Sequence, residues 1–240
     1  MSVKEDISVA MDTELRKWRK INIWIDRVLL PVMMFLIAVI GSGMIGGMAL
    51  LEEGGDIRYH SFSQLMDINT DVIAWITMDG THIDYPVVMS SDNYDYLDKG
   101  FDGEPYVGGT LFMDKDNTGP EDPYCIIYGH NMAAGAMFGD LKRYLEPDFF
   151  KKNNTGSLLT PEYDYRIEVF AAGMFDAYDR IIYKTGGTVP LEYIKKNASI
   201  ARDTDTTDHV LALSTCMDDM SDNRAVVFCS LNDRRKHRQD

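Results

Sequence analysis

The stretch HVLALSTCMDDMSDNRAVVFCSL, His209–Leu231, sets the frame for the whole chain. His209–Ser214 is an apolar run that reads as a strand, and it reaches Cys216 before a polar loop, Met217–Asn223, interrupts it. Ala225–Leu231 is a second strand-like run, and Arg224 opens it. A hairpin-like return over the loop brings Arg224 beside Cys216. Cys216 therefore falls at a strand end, at the surface. A structural cysteine usually lies inside an apolar run, as Cys125 does in PYCII and Cys229 does in VVFCSL. Cys216 is the thiol placed for reaction. Cys125 and Cys229 read as unpaired core thiols, unless their strands are neighbours and allow a disulfide.

Outward from this pair, further short strands are expected at Ile76–Val88 in pieces, Thr110–Met113, Tyr124–Tyr128, Ser157–Thr160 and Arg166–Ala172. Helical spacing predicts short helices within 59–78, a helical stretch at Met137–Tyr144, and a longer one at Pro190–Ala201 with Pro190 at its first position. Many short strands with a few helices mean a mainly β fold, a barrel or a sandwich. The basic end, Arg234–Arg238, reads as a frayed, solvated terminus. Contact with an anionic envelope polymer or lipid headgroups is the other reading of that end.

A thiol nucleophile works as thiolate and needs a base or a positive field. His130 closes the strand Cys125–Tyr128 through Gly129 and is the best partner. His60 lies near an apolar segment, His82 sits in a turn beside Asp79-Gly80, and His237 is in the tail. His209 starts the nucleophile's own strand, so it lies roughly 23 Å from Cys216 along an extended chain. Acyl transfer also needs a donor for the developing oxyanion, and Arg224 offers a permanently charged fork. All three residues fall at strand ends, which is what joins them.

Val28–Leu51 is 24 residues without a charge. A helix of that length spans about 36 Å, against about 30 Å of hydrocarbon. The run is longer than the apolar core of a cleaved signal peptide. Arg16, Lys17, Arg19, Lys20 and Arg27 precede it, while Glu52, Glu53 and Asp56 follow. The positive-inside rule makes residues 1–27 a cytoplasmic tail, 28–51 a single-pass anchor and 52–240 an extracellular domain. The chain carries 24 Lys+Arg against 38 Asp+Glu, a formal charge of −14. That balance excludes a nucleic-acid partner, which needs a basic face. Three scattered cysteines give neither a disulfide scaffold nor a zinc spacing.

At these residues the chain resembles a sortase, the cell-wall transpeptidase family of Gram-positive bacteria. The family's T-L-x-T-C motif reads Ala212-Leu213-Ser214-Thr215-Cys216 here, followed by Arg224, and its histidine motif reads Tyr128-Gly129-His130-Asn131. The match to class B is closer, over about residues 60–231. It takes in Gly80–Val88, Asp92-Asn93-Tyr94-Asp95-Tyr96-Leu97, Gly109–Asp114 and Met137-Phe138. The resemblance implies a closed eight-stranded β-barrel with N-terminal helices and a long helix before the nucleophile strand. It implies that Cys216 attacks the Thr carbonyl of a C-terminal sorting signal on secreted proteins, giving a thioacyl enzyme. A peptidoglycan precursor or cross-bridge amine then releases the product. His130 would be the acid and base, and Arg224 would hold the oxyanion or the substrate backbone. Asn93, Leu97, Ile182, Tyr183, Ser214 and Thr215 would line the peptide groove. No metal or cofactor is required by this chemistry. Two readings stay open beside it: a membrane-tethered cysteine protease with water as acceptor, and a pilin-polymerising sortase. An adhesion domain on a β-barrel is the non-enzymatic rival.

Overall fold

The computed structural model describes residues 62–204, 208–216 and 222–236. The expected anchor at 28–51 and the cytoplasmic tail lie outside the described residues. Among those described, no helix is long and apolar enough to cross a membrane.

Nine strands form one sheet: β1 Val72–Met78, β2 Asp84–Val88, β3 Leu111–Met113, β4 Tyr124–His130, β5 Thr155–Leu159, β6 Tyr163–Asp176, β7 Ile200–Ala201, β8 Val210–Cys216 and β9 Asn223–Lys236. The order is β5-β1-β2-β3-β4-β8-β9-β6-β7, and β5 also pairs with β6. That last pairing closes eight strands into a barrel and leaves the two-residue β7 attached to the outside of β6. Two neighbour pairs are parallel, β2–β3 and β4–β8. A parallel pair needs a long crossover, and the segment between β4 and β8 carries most of the remaining elements.

Strands β4, β8 and β9 are buried on both faces, which explains their near-continuous apolar runs. Cys125, Ile127, Leu211, Leu213, Val227 and Cys229 point into the barrel core. The alternate residues Tyr124, Ile126, Val210, Ala212, Val226 and Phe228 belong to a second cluster outside it. Helix α1, Phe62–Ile68, covers a third cluster of Val72, Val88, Tyr96 and Phe112. Helix α2, Pro147–Lys152, follows the crossover out of β4 and buries Phe150. Helix α3, Leu191–Asn197, and the segment around Ile182 cover the second cluster.

The helix before the nucleophile strand is shorter than expected. It ends at Asn197, because Ala198 turns to extended backbone and Ile200–Ala201 pair with Ala171–Ala172 as β7. Pro190 caps it rather than opening it. Within the described part of the expected helical stretch 59–78, helix is found only at Phe62–Ile68. Val72, Ala74, Ile76 and Met78 are buried alternately, with a period of two, and form β1. The stretch expected at Met137–Tyr144 is a 3-10 helix at Gly139–Leu145. Of the basic end Arg234–Arg238, residues 237–238 lie outside the described residues, and Arg234–Lys236 are not frayed: they extend β9 against Tyr163 and Asp164. Arg234 also stacks on the Tyr163 ring at 3.7 Å and pairs with Glu121 at 3.2 Å.

Cys125 and Cys229 both face Leu211, from opposite sides of β8. Two strand spacings put them about 10 Å apart, beyond the reach of a disulfide. Both thiols are free and buried.

Candidate active site

Backbone register assembles the three expected catalytic positions. In the parallel β4–β8 pair, His130 stands opposite Cys216. In the antiparallel β8–β9 pair, Ser214 stands opposite Val226. Two steps forward along β8 is Cys216, and two steps back along β9 is Arg224. Position 216 is thus flanked by His130 on one side and Arg224 on the other, each about one strand spacing, roughly 5 Å, away. The three positions continue the even-numbered series of the outer cluster, so they share one side of the sheet at one end of the barrel.

The positions are fixed by close packing under them. Gly129 faces inward, where a Cβ would lie 2.3 Å from Leu111 Cδ2 and 2.8 Å from the Phe138 ring. A side chain there would have to displace Leu111 and the Phe138 ring. After His130 the chain doubles back: the Phe138 N–H donates to the His130 carbonyl at 2.9 Å, and Asn131 bridges to Met137. The His130 Nε2 lies 2.6 Å from the Leu97 carbonyl oxygen. A carbonyl can only accept, so Nε2 is the donor in this contact.

The expected groove residues divide. Leu97 orients His130 through its carbonyl, while its side chain packs beside α1's cluster. Asn93 ties its loop down: its Nδ2 donates to Asp114 at 3.1 Å, and its Oδ1 accepts from the Lys115 N–H at 2.8 Å. Tyr183 covers Ser214, with their hydroxyls 3.1 Å apart, and its ring stacks on Tyr128 at 6.3 Å. Ile182 and Thr215 are not at the surface. Ile182 sits in the outer cluster, and its carbonyl accepts from Tyr124 at 2.9 Å. Thr215 is fully buried, and the Ala225 N–H donates to its hydroxyl at 3.3 Å.

One residue that motif reading left without a role is central here. Asp114 is buried, and its Oδ2 accepts from the Tyr128 hydroxyl at 2.8 Å as well as from Asn93. Its Oδ1 accepts from the Asp116 N–H at 2.9 Å and from Thr185 at 3.2 Å. This carboxylate knots the 93–97 loop, strand β4 and the 182–185 segment together. Burial, then the Asp114 charge and hydrogen bond, push the Tyr128 phenol far above its ordinary value. Tyr128 therefore stays protonated and stays a donor. The signal in the sequence was an acid directly after the apolar Leu111–Met113.

A family model described as the sortase domain matches residues 76–232, which holds the whole of this constellation. The chain belongs to the sortase family. This sortase is 31% identical over 180 residues to the Sortase B of Staphylococcus aureus, covering 71% of this chain and 74% of that one. It is 39% identical over 124 residues to the Sortase B of Listeria monocytogenes. That match covers 51% of this chain and spans 50% of the Listeria protein's length. Among solved structures, a Streptococcus pyogenes class B sortase involved in pilus biogenesis superposes with a TM-score of 0.66 at 35% identity. The match covers 72% of this chain and 98% of that one. The relatives found are class B sortases, as the motifs implied, and the closed eight-stranded barrel is the one they share.

Proposed function

We propose that this sortase is a cysteine transpeptidase that joins secreted proteins to a cell-wall amine. The observation that carries the reading is the register that sets position 216 between His130 and Arg224. Cys216, as thiolate, attacks the Thr carbonyl of a C-terminal sorting signal. The carbonyl oxygen becomes an oxyanion held by Arg224. The C–N bond breaks, the departing amine takes a proton from His130, and a thioacyl enzyme remains. A peptidoglycan precursor or cross-bridge amine then attacks the thioester. The C–S bond breaks, and His130 takes the proton back.

Residues 52–240 act outside the cell in this reading, held by an anchor at 28–51 with residues 1–27 in the cytoplasm. The charge pattern around the apolar run supports that orientation. External protease applied to intact cells should remove the catalytic domain and leave the first 27 residues protected.

The deciding experiment is mass analysis of products from a library of sorting-type pentapeptides with candidate amines. Amide products at saturating amine are expected. Hydrolysis alone would leave a membrane-tethered cysteine protease. A second reading, pilin polymerisation, is favoured by the likeness to the Streptococcus pyogenes enzyme involved in pilus biogenesis. It predicts that a lysine side chain within a partner protein outcompetes wall-type amines.

A further inference from the structure

Transpeptidation brings a second substrate to the acyl-enzyme, and a site for that substrate rests on the transferase reading. By microscopic reversibility the entering amine uses the path along which the first amine left, on the side of the acid–base group. The acceptor therefore lies on the His130 side of position 216, away from β9. On that side is a cavity of about 320 Å³. Leu97 links it to His130. The Leu97 carbonyl oxygen touches the His130 ring on one side. On the other it meets Gly109, where a Cβ would stand 2.5 Å from it. Gly109 lines the cavity, and Met137, bridged to Asn131, lines it too.

The chemistry of the walls is specific. Tyr85, Phe101 and Tyr106 are in the lining, and so are the exposed Asp102 and Glu104. Among the described residues neither carboxylate has an ion-pair partner. The nearby Lys99 does not serve them, because it is held by Asp95 at 2.7 Å and lies 5.1 Å over the Tyr96 ring. Aromatic residues together with unpaired carboxylates in one lining suit a cation on an aliphatic stem, its methylenes packing on the aromatics and its charged head meeting the carboxylates. We propose that this cavity docks the acceptor by holding a lysine-type alkylammonium side chain, near in sequence to the amine that attacks.

The test uses the full chain in detergent, a sorting-type peptide and two acceptors, Gly-Gly-dimethyllysine amide and Gly-Gly-norleucine amide. The tertiary amine keeps the charge yet cannot form an amide, so only the terminal amine reacts. The wild type should show about 5-fold lower KM for the cationic acceptor. The double variant Asp102→Asn, Glu104→Gln should abolish that preference. It should leave acyl-enzyme formation and amine-free hydrolysis unchanged. Asn keeps the acceptor oxygen that receives the Glu104 N–H at 3.1 Å, so the turn is preserved. Equal KM values for the two acceptors, with the acyl-enzyme seen by mass, would overturn the cavity proposal alone. Absence of any acyl-enzyme in the wild type would instead overturn the transferase reading, and the acceptor site with it.

Discussion

Arg224 is the second residue of β9 and pairs in register with Phe175 of β6, while its other neighbour in the sheet is position 216 of β8. A forked guanidinium and a point charge are not equivalent for an oxyanion. Arg224→Lys should lower kcat/KM by about 10²-fold or more, the scale of losing one oxyanion donor. Near-normal turnover in Arg224→Ala would remove the role altogether. Cys216→Ala should give no acyl adduct by mass, and His130→Ala should come close to that. That these three positions come together was legible because each sits where an apolar run meets turn chemistry. Asp114 was not, since its role depends on partners 14, 21 and 71 residues away in sequence. Asp114→Asn replaces one acceptor oxygen with a donor, facing groups that already donate. It should cost about 1–3 kcal/mol in urea unfolding. It should also raise KM for the sorting peptide while leaving the amine KM unchanged, which a purely structural loss would not do.

At the scale of elements, local pattern gave the strand centres and missed their ends. Arg166–Ala172 grew to Tyr163–Asp176 because pairing with β9 and β5 continues through polar residues such as Asp164 and Asp176. The spacing of Leu65, Ile68, Val72 and Trp75 fits one helix, but from Val72 onward pairing with both β2 and β5 overrides it. One inter-element tie carries a pH signature. Asp140, in the 3-10 helix after β4, accepts from the His82 N–H at 2.9 Å and lies 2.8 Å from its Nδ1. Burial acts to raise this carboxyl, but the His82 hydrogen bonds and the Arg143 charge outweigh it and hold it below the usual value. A depressed carboxyl stabilises the fold above its unfolded value, 3.8, and that contribution is lost as pH falls through the lower folded value. Asp140→Asn should therefore unfold more easily than wild type at neutral pH, by about 1–2 kcal/mol. The gap should close only in acid below the ordinary Asp range. A gap that instead widened in acid would mean that the carboxylate is not what holds the turn at His82.

At the scale of the molecule, the closed barrel has two hydrophobic layers divided by β4, β8 and β9, and the site sits where the outer layer ends. The same three strands hold the inner thiols apart. Leu211 lies between Cys125 and Cys229, so the chain has two cysteines that cannot pair and a third in the site. Burial, then the nearby Asp122 charge, pushes the Cys125 thiol up to about 12, and burial alone raises Cys229. Neither forms appreciable thiolate at mildly alkaline pH, and neither is reached by solvent. This makes the barrel's integrity countable. In the Cys216→Ala protein, an alkylating reagent should add to no cysteine in the native state and to two in strong guanidinium, read by mass. Labelling should follow the unfolding transition as one step, because opening any seam of a closed sheet exposes the common core. Early labelling of Cys125 alone would show that the β4 edge opens before the rest. That result would also undercut the rigid placement of His130, the last residue of the same strand.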